Sequence, residues 1–469
     1  MQVASMHFRQ RAHANMADAQ LQRNLRKIEG KFVAHRRESL KELDDFEATR
    51  EAGQAIRQRA LDDLDAWLEI FERNATARGA TVLWAETPAE INAHVLEIAR
   101  RHGVSKIIKS KSMVSEESAL DRAIEAAGLT VVETDLGEYI LQINDYEPPS
   151  HLIGPALHKS KEEVAELFAR RHATPLKTGI DELCREARGV LRQHYLTADM
   201  GISGGNFFVA ETGSVVLVTN EGNATLTTTL PRVHVAISGI EKVVPTLEDV
   251  ATLLRLLTRS ATGQSISNYV DILTGVKGEG EANGAEHMYF IVVDAGRSRV
   301  LGSELREALR CIRCGACMNH CPVYQNVGGH AYGWVYPGPI GSVLTPAYVG
   351  IENALDLPQA ATFCNQCGVV CPVKIPLPDL MRKLREQQLA RGLRPRHERA
   401  GLRLWSWLGT HPRLFAMAMR TAARVLAWRG GRERLLHRLP FASGWTDGRD
   451  LPAPAGRTFR DSYPQRKAK

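Results

Sequence analysis

Long apolar runs are missing from this sequence. No stretch approaches the ~18 consecutive apolar residues that a membrane-crossing helix needs. The opening MQVASMHFRQRAHANMADAQ has no apolar segment followed by a small-residue cleavage site. Both absences predict a cytoplasmic protein. Cysteine is scarce as well: eight in 469 residues are too few for a disulfide scaffold. No G-x-G-x-x-G follows the first strand-like segment, and GISGGN (201–206) lacks that spacing, so neither a dinucleotide nor a flavin fingerprint is present. No nucleic-acid-binding module is recognisable, and nucleic acid is not expected as a partner.

What is present is ordinary globular composition, 44% apolar and 24% charged, in a chain long enough for about two to four domains. The net charge of +7 is unevenly spread. Residues 382–469 carry 21 Lys and Arg against 6 Asp and Glu, so the rest of the chain is net acidic. Basicity is a property of the C-terminal tail.

Residues 1–75 have the apolar spacing of helices, with Leu61, Leu64, Trp67, Leu68 and Phe71 on one face. From about residue 76 the pattern changes to strands alternating with helices, which predicts a parallel α/β sheet through about residue 300. The expected strands are 81–86, 106–112, 129–135, 206–211, 214–219, 233–238 and 288–294. Thr87-Pro88-Ala89-Glu90 predicts a capping box, Ser115 a further helix cap, and 247–259 a helix. Cys184, in a predicted helix over 180–196, is expected to be an ordinary packed cysteine. A helix over 303–310 leads into a cysteine-bearing segment, 301–392. Beyond it, 393–469 is read as a basic helical tail whose Pro/Gly/Arg-rich end, from about Leu451, is predicted to be disordered.

Seven of the eight cysteines fall between Cys311 and Cys371. Cys311, Cys314, Cys317 and Cys321-Pro322 match C-x2-C-x2-C-x3-C-P. In that arrangement a tight loop brings three thiolates to one cubane, and the fourth ligates the other cluster. The second motif, Cys364, Cys367 and Cys371-Pro372, is one cysteine short, with Ala361 at the missing position. Crossing the ligands assigns Cys311, Cys314, Cys317 and Cys371 to cluster 1, and Cys321, Cys364 and Cys367 to cluster 2. Two [4Fe–4S] clusters are expected. The second has three Cys ligands and is either a [4Fe–4S] cluster with a water, substrate or non-Cys ligand, a [3Fe–4S] cluster, or a [4Fe–4S] cluster that loses iron on oxidation. Asn365, Gln366 and His330 are candidate donors for it. Zinc is the competing assignment for C-x2-C pairs, and it fits seven cysteines with two C-P endings less well.

Together with IIKSKSMVSEE (107–117), DLGEYILQI (135–143), PSHLIGPALH (149–158), GISGGNFFVAETGSVVLVTNEGNA (201–224), GGHAYGWVYPGPIGSVLTP (328–346) and CPVKIPLPDLMRKLR (371–385), these motifs resemble the lactate utilisation protein B family over nearly the whole chain. The resemblance implies a CoA-transferase/isomerase-like α/β domain, an α-helical ferredoxin-type two-cluster domain and the basic tail. It also implies an iron–sulfur subunit that relays electrons in a three-protein system oxidising L-lactate to pyruvate without a nicotinamide cofactor, and a family pattern with the same seven cysteines. The alternative is an iron–sulfur sensor or scaffold without redox turnover.

Within the α/β region, Lys109, Lys111, Ser112, Glu211, Thr212, Asn220, Glu221 and Asn223 are candidates for a polar pocket at strand ends, with the two lysines suited to a carboxylate. The tail's Trp405, Trp407, Phe415 and Trp428 among arginines suit contact with a partner subunit, an electron acceptor or the inner face of the membrane.

Overall fold

The computed structural model describes residues 3–439, 446 and 449–467. The chain divides into two compact units, Met1–Gln388 and Leu389–Lys469.

In the first unit, six strands form one sheet: β1 (Thr81–Ala85), β2 (Lys106–Lys109), β3 (Thr130–Glu133), β4 (Met200–Ser203), β7 (Val233–Gly239) and β10 (His287–Val293). The spatial order is β1-β10-β7-β4-β2-β3 and every pairing is parallel. Helices cover both faces, which is why β7 and β10 read as nearly continuous apolar runs. The core on one face joins Ile107, Ile202, Val235 and Ile291 to Ile91 and Val95 of helix Pro88–Arg101. On the other, Phe71 of helix Leu64–Ala77 stacks on Phe208 at 4.8 Å and meets Phe290 edge-on at 5.2 Å.

The expected strands all form, but not in one sheet. β5 (Phe207–Val209) and β6 (Ser214–Thr219) pair with β8 (Val243–Val244) and β9 (Tyr269–Leu273) in a separate four-stranded sheet, β8-β5-β6-β9, with antiparallel β5–β6 and β6–β9. Several local expectations change. The strand over 106–112 stops at Lys109, and the cap of the next helix, Met113–Glu117, is Ser112, whose hydroxyl accepts from Ser115 N. At Thr87 the hydroxyl caps Glu90 N as expected, but the Glu90 carboxylate reaches back to Glu86 N. The segment before the first cysteine motif is a 3₁₀ turn, Arg306–Arg310. Cys184 is exposed on helix Ile180–Thr197, not packed.

The N-terminal helices lie against the cysteine-bearing segment. Asn15 donates to Val327 O at 2.7 Å, and Ser5 to Tyr332 O at 2.8 Å. Gly329 comes so close to the 149–158 stretch that a β-carbon there would lie 1.7 Å from Ser150 O. Two of the motifs that carry the family resemblance therefore touch, and only glycine permits the contact.

In the second unit, helices Arg396–Gly409 and Pro412–Arg429 form a pair with no buried residue, and Leu435–Leu436 pairs with Leu451–Pro452. Beyond that lies helix Phe459–Lys467, where composition alone predicts disorder.

Between β4 and β7, the His234 ring is buried and shares a 2.8 Å hydrogen bond with the Ser203 hydroxyl. Burial holds its pKa down at about 3, so it stays neutral in the folded chain while an unfolded histidine protonates near 6.5. A depressed basic group contributes stability that is present above the unfolded pKa and lost as pH falls toward the folded one. Thermal unfolding between pH 7 and 4 should therefore bring the wild type closer to a His234→Asn variant, step by step below about pH 6.5. A pH-independent gap would contradict this.

Candidate cluster sites and the adjoining cavity

The two cysteine motifs fold into matching loops. Arg313 and Gly315, which flank Cys314, have φ of 60° and 76°. Phe363 and Asn365, which flank Cys364, have φ of 56° and 62°. Left-handed backbone at a non-glycine residue costs ~1–2 kcal/mol, so its repetition at equivalent positions marks one shared loop geometry. Ala361 thus occupies the place that Cys311 holds in the first loop.

The thiols gather into two groups. Cys314 is pushed up to about 12 by burial and then by the charges of Cys371 and Cys311. Cys317 is raised by burial and then by Cys311 and Cys314, ahead of Cys367 and Cys371. Cys367, at about 12, feels burial and Cys321 first, and Cys364 after them. By these influences Cys371 lies within electrostatic reach of Cys311 and Cys314, outside its own motif, and Cys367 within reach of Cys321 and Cys364.

Buried thiols that repel one another suit a site that ionises them onto a cationic centre. Backbone amides converge on them: Arg313 N donates to Cys311 Sγ at 3.4 Å and Ile375 N to Cys371 Sγ at 3.3 Å. Further amides, from Ala316, Val323, Tyr324 and Gly368, favour the thiolates of Cys314, Cys321 and Cys367. Among the described residues no three cysteine sulfurs fall within 4.8 Å of one another. A tetrahedral zinc site would bring them to ~3.8 Å, from Zn–S bonds of ~2.3 Å. The spacing suits a larger inorganic core. The buried Tyr332 hydroxyl has no hydrogen-bond partner, and its proton is held on by burial and then by Cys321. A sulfur of a bound cluster would supply the acceptor it lacks.

Cations from distant parts of the chain surround the first group. Arg50 donates to Cys371 O at 2.6 Å and Gly368 O at 2.8 Å, and Arg36 to Val370 O at 3.1 Å. Arg57, wholly buried, donates to Val243 O, Leu309 O and Arg310 O. Lys242 donates to Cys311 O at 3.1 Å. No spacing in the sequence marks these residues. The first group is buried throughout, whereas Cys364 of the second is exposed. His330, a candidate donor for the second group, instead bonds Pro148 O at 2.7 Å through Nε2 and packs on His158.

Beside the first loop lies a cavity of 280 Å³. Strands β2 and β4 are neighbours whose chains leave in opposite directions, to β3 on one side and toward β7 on the other. Such a switch point opens a crevice beyond the carboxyl ends of parallel strands. The cavity is lined there by Ser110, Lys111 and Ser112 after β2, and by Gly204, Gly205 and Asn206 after β4. Ile312 and Arg313 of the first cysteine loop form part of its wall. Arg313 pairs with Glu241 at 3.2 Å and lies over the Tyr336 ring at 4.7 Å.

Of the expected pocket residues, Lys111, Ser112, Asn220, Glu221 and Asn223 line this cavity. The other three do not. Lys109 is fully buried among Glu116, Asp121 and Glu133, at 3.0 Å from the first and 3.2 Å from the second. Its ammonium fills the centre of that acidic cluster. Glu211 accepts from Leu247 N at 3.1 Å, and Thr212 bonds Ser214. At the cavity's edge the exposed Glu221 carboxyl is pushed up by partial desolvation and by Asp135.

Residues 68–293 match the LUD domain, 307–375 the 4Fe-4S dicluster domain, and 381–468 the C-terminal region of lactate utilisation protein B. Lactate utilization protein B of Lysinibacillus sphaericus is 41% identical over 98% of this chain and 97% of its own length. That of Anoxybacillus flavithermus is 41% identical over 99% of both. That of Geobacillus kaustophilus is 43% identical over 91% of this chain and 90% of its own. A solved DUF162 family protein from Deinococcus radiodurans is 14% identical, with a TM-score of 0.29, over 49% of this chain and 98% of that one.

Proposed function

The chain belongs to the lactate utilization protein B family, and from that membership we infer a role in lactate utilisation as the iron–sulfur component that carries electrons away from lactate as it becomes pyruvate. The observation that carries the reading is the gathering of seven cysteines of which six are buried and one, Cys364, is exposed; we assign them four and three to two clusters. Bound there, iron–sulfur clusters supply one-electron chemistry at potentials within about −700 to +450 mV. Cys311, Cys314, Cys317 and Cys371 hold the inner cluster. Cys321, Cys364 and Cys367 hold the outer one, a [4Fe–4S] or [3Fe–4S] centre with three thiolates.

This chain's own residues set the order of the relay. Arg36, Arg50, Arg57 and Arg313 place positive charge around the inner thiols and favour the arrival of an electron. Phe363 and Val369, 40% and 56% exposed beside Cys364 and Cys367, form the face where a partner subunit exchanges electrons with the outer centre. In this reading residues 76–300 form a CoA-transferase/isomerase-like domain that the N-terminal segment 1–75 braces, 301–392 the ferredoxin-type domain and 393–469 the tail. Trp405, Trp407 and Trp428, at 58%, 51% and 81% exposure, form an arginine-flanked apolar surface for docking to the other proteins of the system or its membrane-side acceptor. No helix among the described residues is long and apolar enough to cross a membrane.

EPR of the anaerobically purified protein, mixed with its partner proteins and L-lactate, tests the relay. Both centres should become reduced during lactate oxidation. Clusters that stay oxidised while pyruvate accumulates would reject electron transfer and favour a sensor or scaffold.

A further inference from the structure

Several hydrogen-bond donors border the cavity at the switch point without a carboxylate bound to them. Lys242, 6% exposed, and Lys111 each donate to one carbonyl oxygen, Cys311 O and Ile153 O, and neither has a carboxylate partner among the described residues. Asn206 and Asn223 spend their side-chain oxygens on Val218 N and on the Thr219 hydroxyl. Their amide NH₂ groups have no acceptor among the described residues. Arg313 Nη1 is buried with no partner at all. A buried donor left in the state of Arg313 Nη1 costs free energy unless an acceptor reaches it. Of the carboxylates that line the cavity, Glu241 is committed to Arg297 and Arg313, Glu221 accepts from Leu136 N and Asp135 from Glu138 N.

Size and surface narrow the class. A cavity of 280 Å³ falls near the lower end of the ~300–1,000 Å³ range of small-molecule sites and exceeds what a three-carbon acid would fill. Leu217, Ile237, Leu257 and Ala261 give it an apolar wall. A free inorganic anion would leave that wall bare.

We propose that this cavity binds a redox-active organic anion of cofactor size, a flavin or quinone, its carboxylate or phosphate received by these donors and its body lying on the apolar wall, against the first cysteine loop. The inference rests on the relay reading and deepens it: each electron that the ligand takes up is one given up by the reduced inner cluster, through the loop that Ile312 and Arg313 occupy. A carboxylate-bearing and a phosphate-bearing ligand share this recognition chemistry, and the probes below separate them.

The test uses anaerobic, cluster-loaded full-length protein and isothermal titration with flavin mononucleotide, a benzoquinone carboxylic acid and L-lactate. One of the two larger anions should bind saturably, at least tenfold tighter than L-lactate, and should perturb the inner cluster's EPR signal. Lys111→Met and Asn223→Ala should each weaken that binding at least tenfold with iron content unchanged. Iron content is the check that a weakened variant has kept its fold. Absence of binding by both larger anions, binding no tighter than L-lactate, or affinity unmoved in both iron-replete variants would overturn the proposal. Its failure is distinct from failure of the relay: centres reduced during turnover by a protein that binds no probe leave the relay standing, and a protein that binds the anion while its centres never reduce leaves only the site.

Discussion

A Cys371→Ala protein should lose the inner cluster, although Cys371 sits in the outer cluster's motif. Anaerobic reconstitution should yield about three to four irons where the parent holds about seven to eight, and the surviving EPR signal should be the one that Cys321→Ala abolishes. Cys311→Ala should lose the same signal as Cys371→Ala although the two lie 60 positions apart. The expectation rests on geometry: Cys371 feels the charge of Cys311, and its sulfur accepts Ile375 N inside a fully buried pocket. Cys314, in turn, feels Cys371 ahead of Cys311. If Cys371→Ala instead matched Cys364→Ala in the signal lost, the thiols would be grouped by motif and the crossed arrangement would be wrong. Because the relay proposed above runs through both centres, either loss should also abolish lactate oxidation by the assembled system.

Arg297→Met should produce the largest loss of stability of any single substitution outside the cysteines. Arg297 is wholly buried and holds two buried carboxylates, Glu117 at 2.6 Å and Glu241 at 2.8 Å, with its guanidinium 4.9 Å from the Tyr348 ring. Glu117 also accepts from the Tyr336 hydroxyl, and Glu241 from Arg313 of the first cysteine loop. The network therefore joins the parallel sheet to the cluster segment. Burial pushes the Glu241 carboxyl up, yet Arg297 and then Arg313 outweigh that and hold it at about 2. Removing one partner of a buried ion pair costs ~3–5 kcal/mol, a large share of a typical stability of ~5–15 kcal/mol. Arg297→Lys should recover only part of it, because one ammonium cannot reproduce the planar fork that serves two carboxylates. Denaturant midpoints of the three cluster-loaded proteins measure the order. A loss below ~1 kcal/mol for Arg297→Met, the level of an exposed pair, would show that solvent already reaches this network.

The parallel sheet was legible because strands buried on both faces must be apolar throughout, and SVVLVT, VHVAIS and MYFIVVD are. Their division into two sheets was not. β8 is two residues long, and β9, YVDIL, is only half buried, so neither carries a pattern that announces a second sheet. The cysteine partition could be read from covalent spacing, which limits what one loop can reach. The arginines around the inner thiols could not: Arg36 and Arg50 lie more than 300 residues from their partners, and a helix arginine reads as solvent-exposed until a tertiary contact claims it. Lys109 looked like a pocket residue because it ends a strand. β2 ends at Lys109, whose side chain lies in a cluster of acids, whereas the cavity is bordered by the residues that follow the strand, Ser110 and Lys111.

The reach of Arg36, Arg50 and Arg57 across the chain has a consequence for biosynthesis. On the ribosome the N-terminal helices emerge long before Val370 and Cys371, the backbone they grip. Closing contacts over such a separation is slow because the loop entropy must be met before any contact rewards it. Until residue 371 is available the nascent chain presents free guanidinium groups and unclaimed thiols, and the inner cluster cannot acquire its fourth ligand. Iron delivery to that site therefore cannot be completed until some 371 of the 469 residues have been made, and the chain must be kept reduced and unaggregated until then.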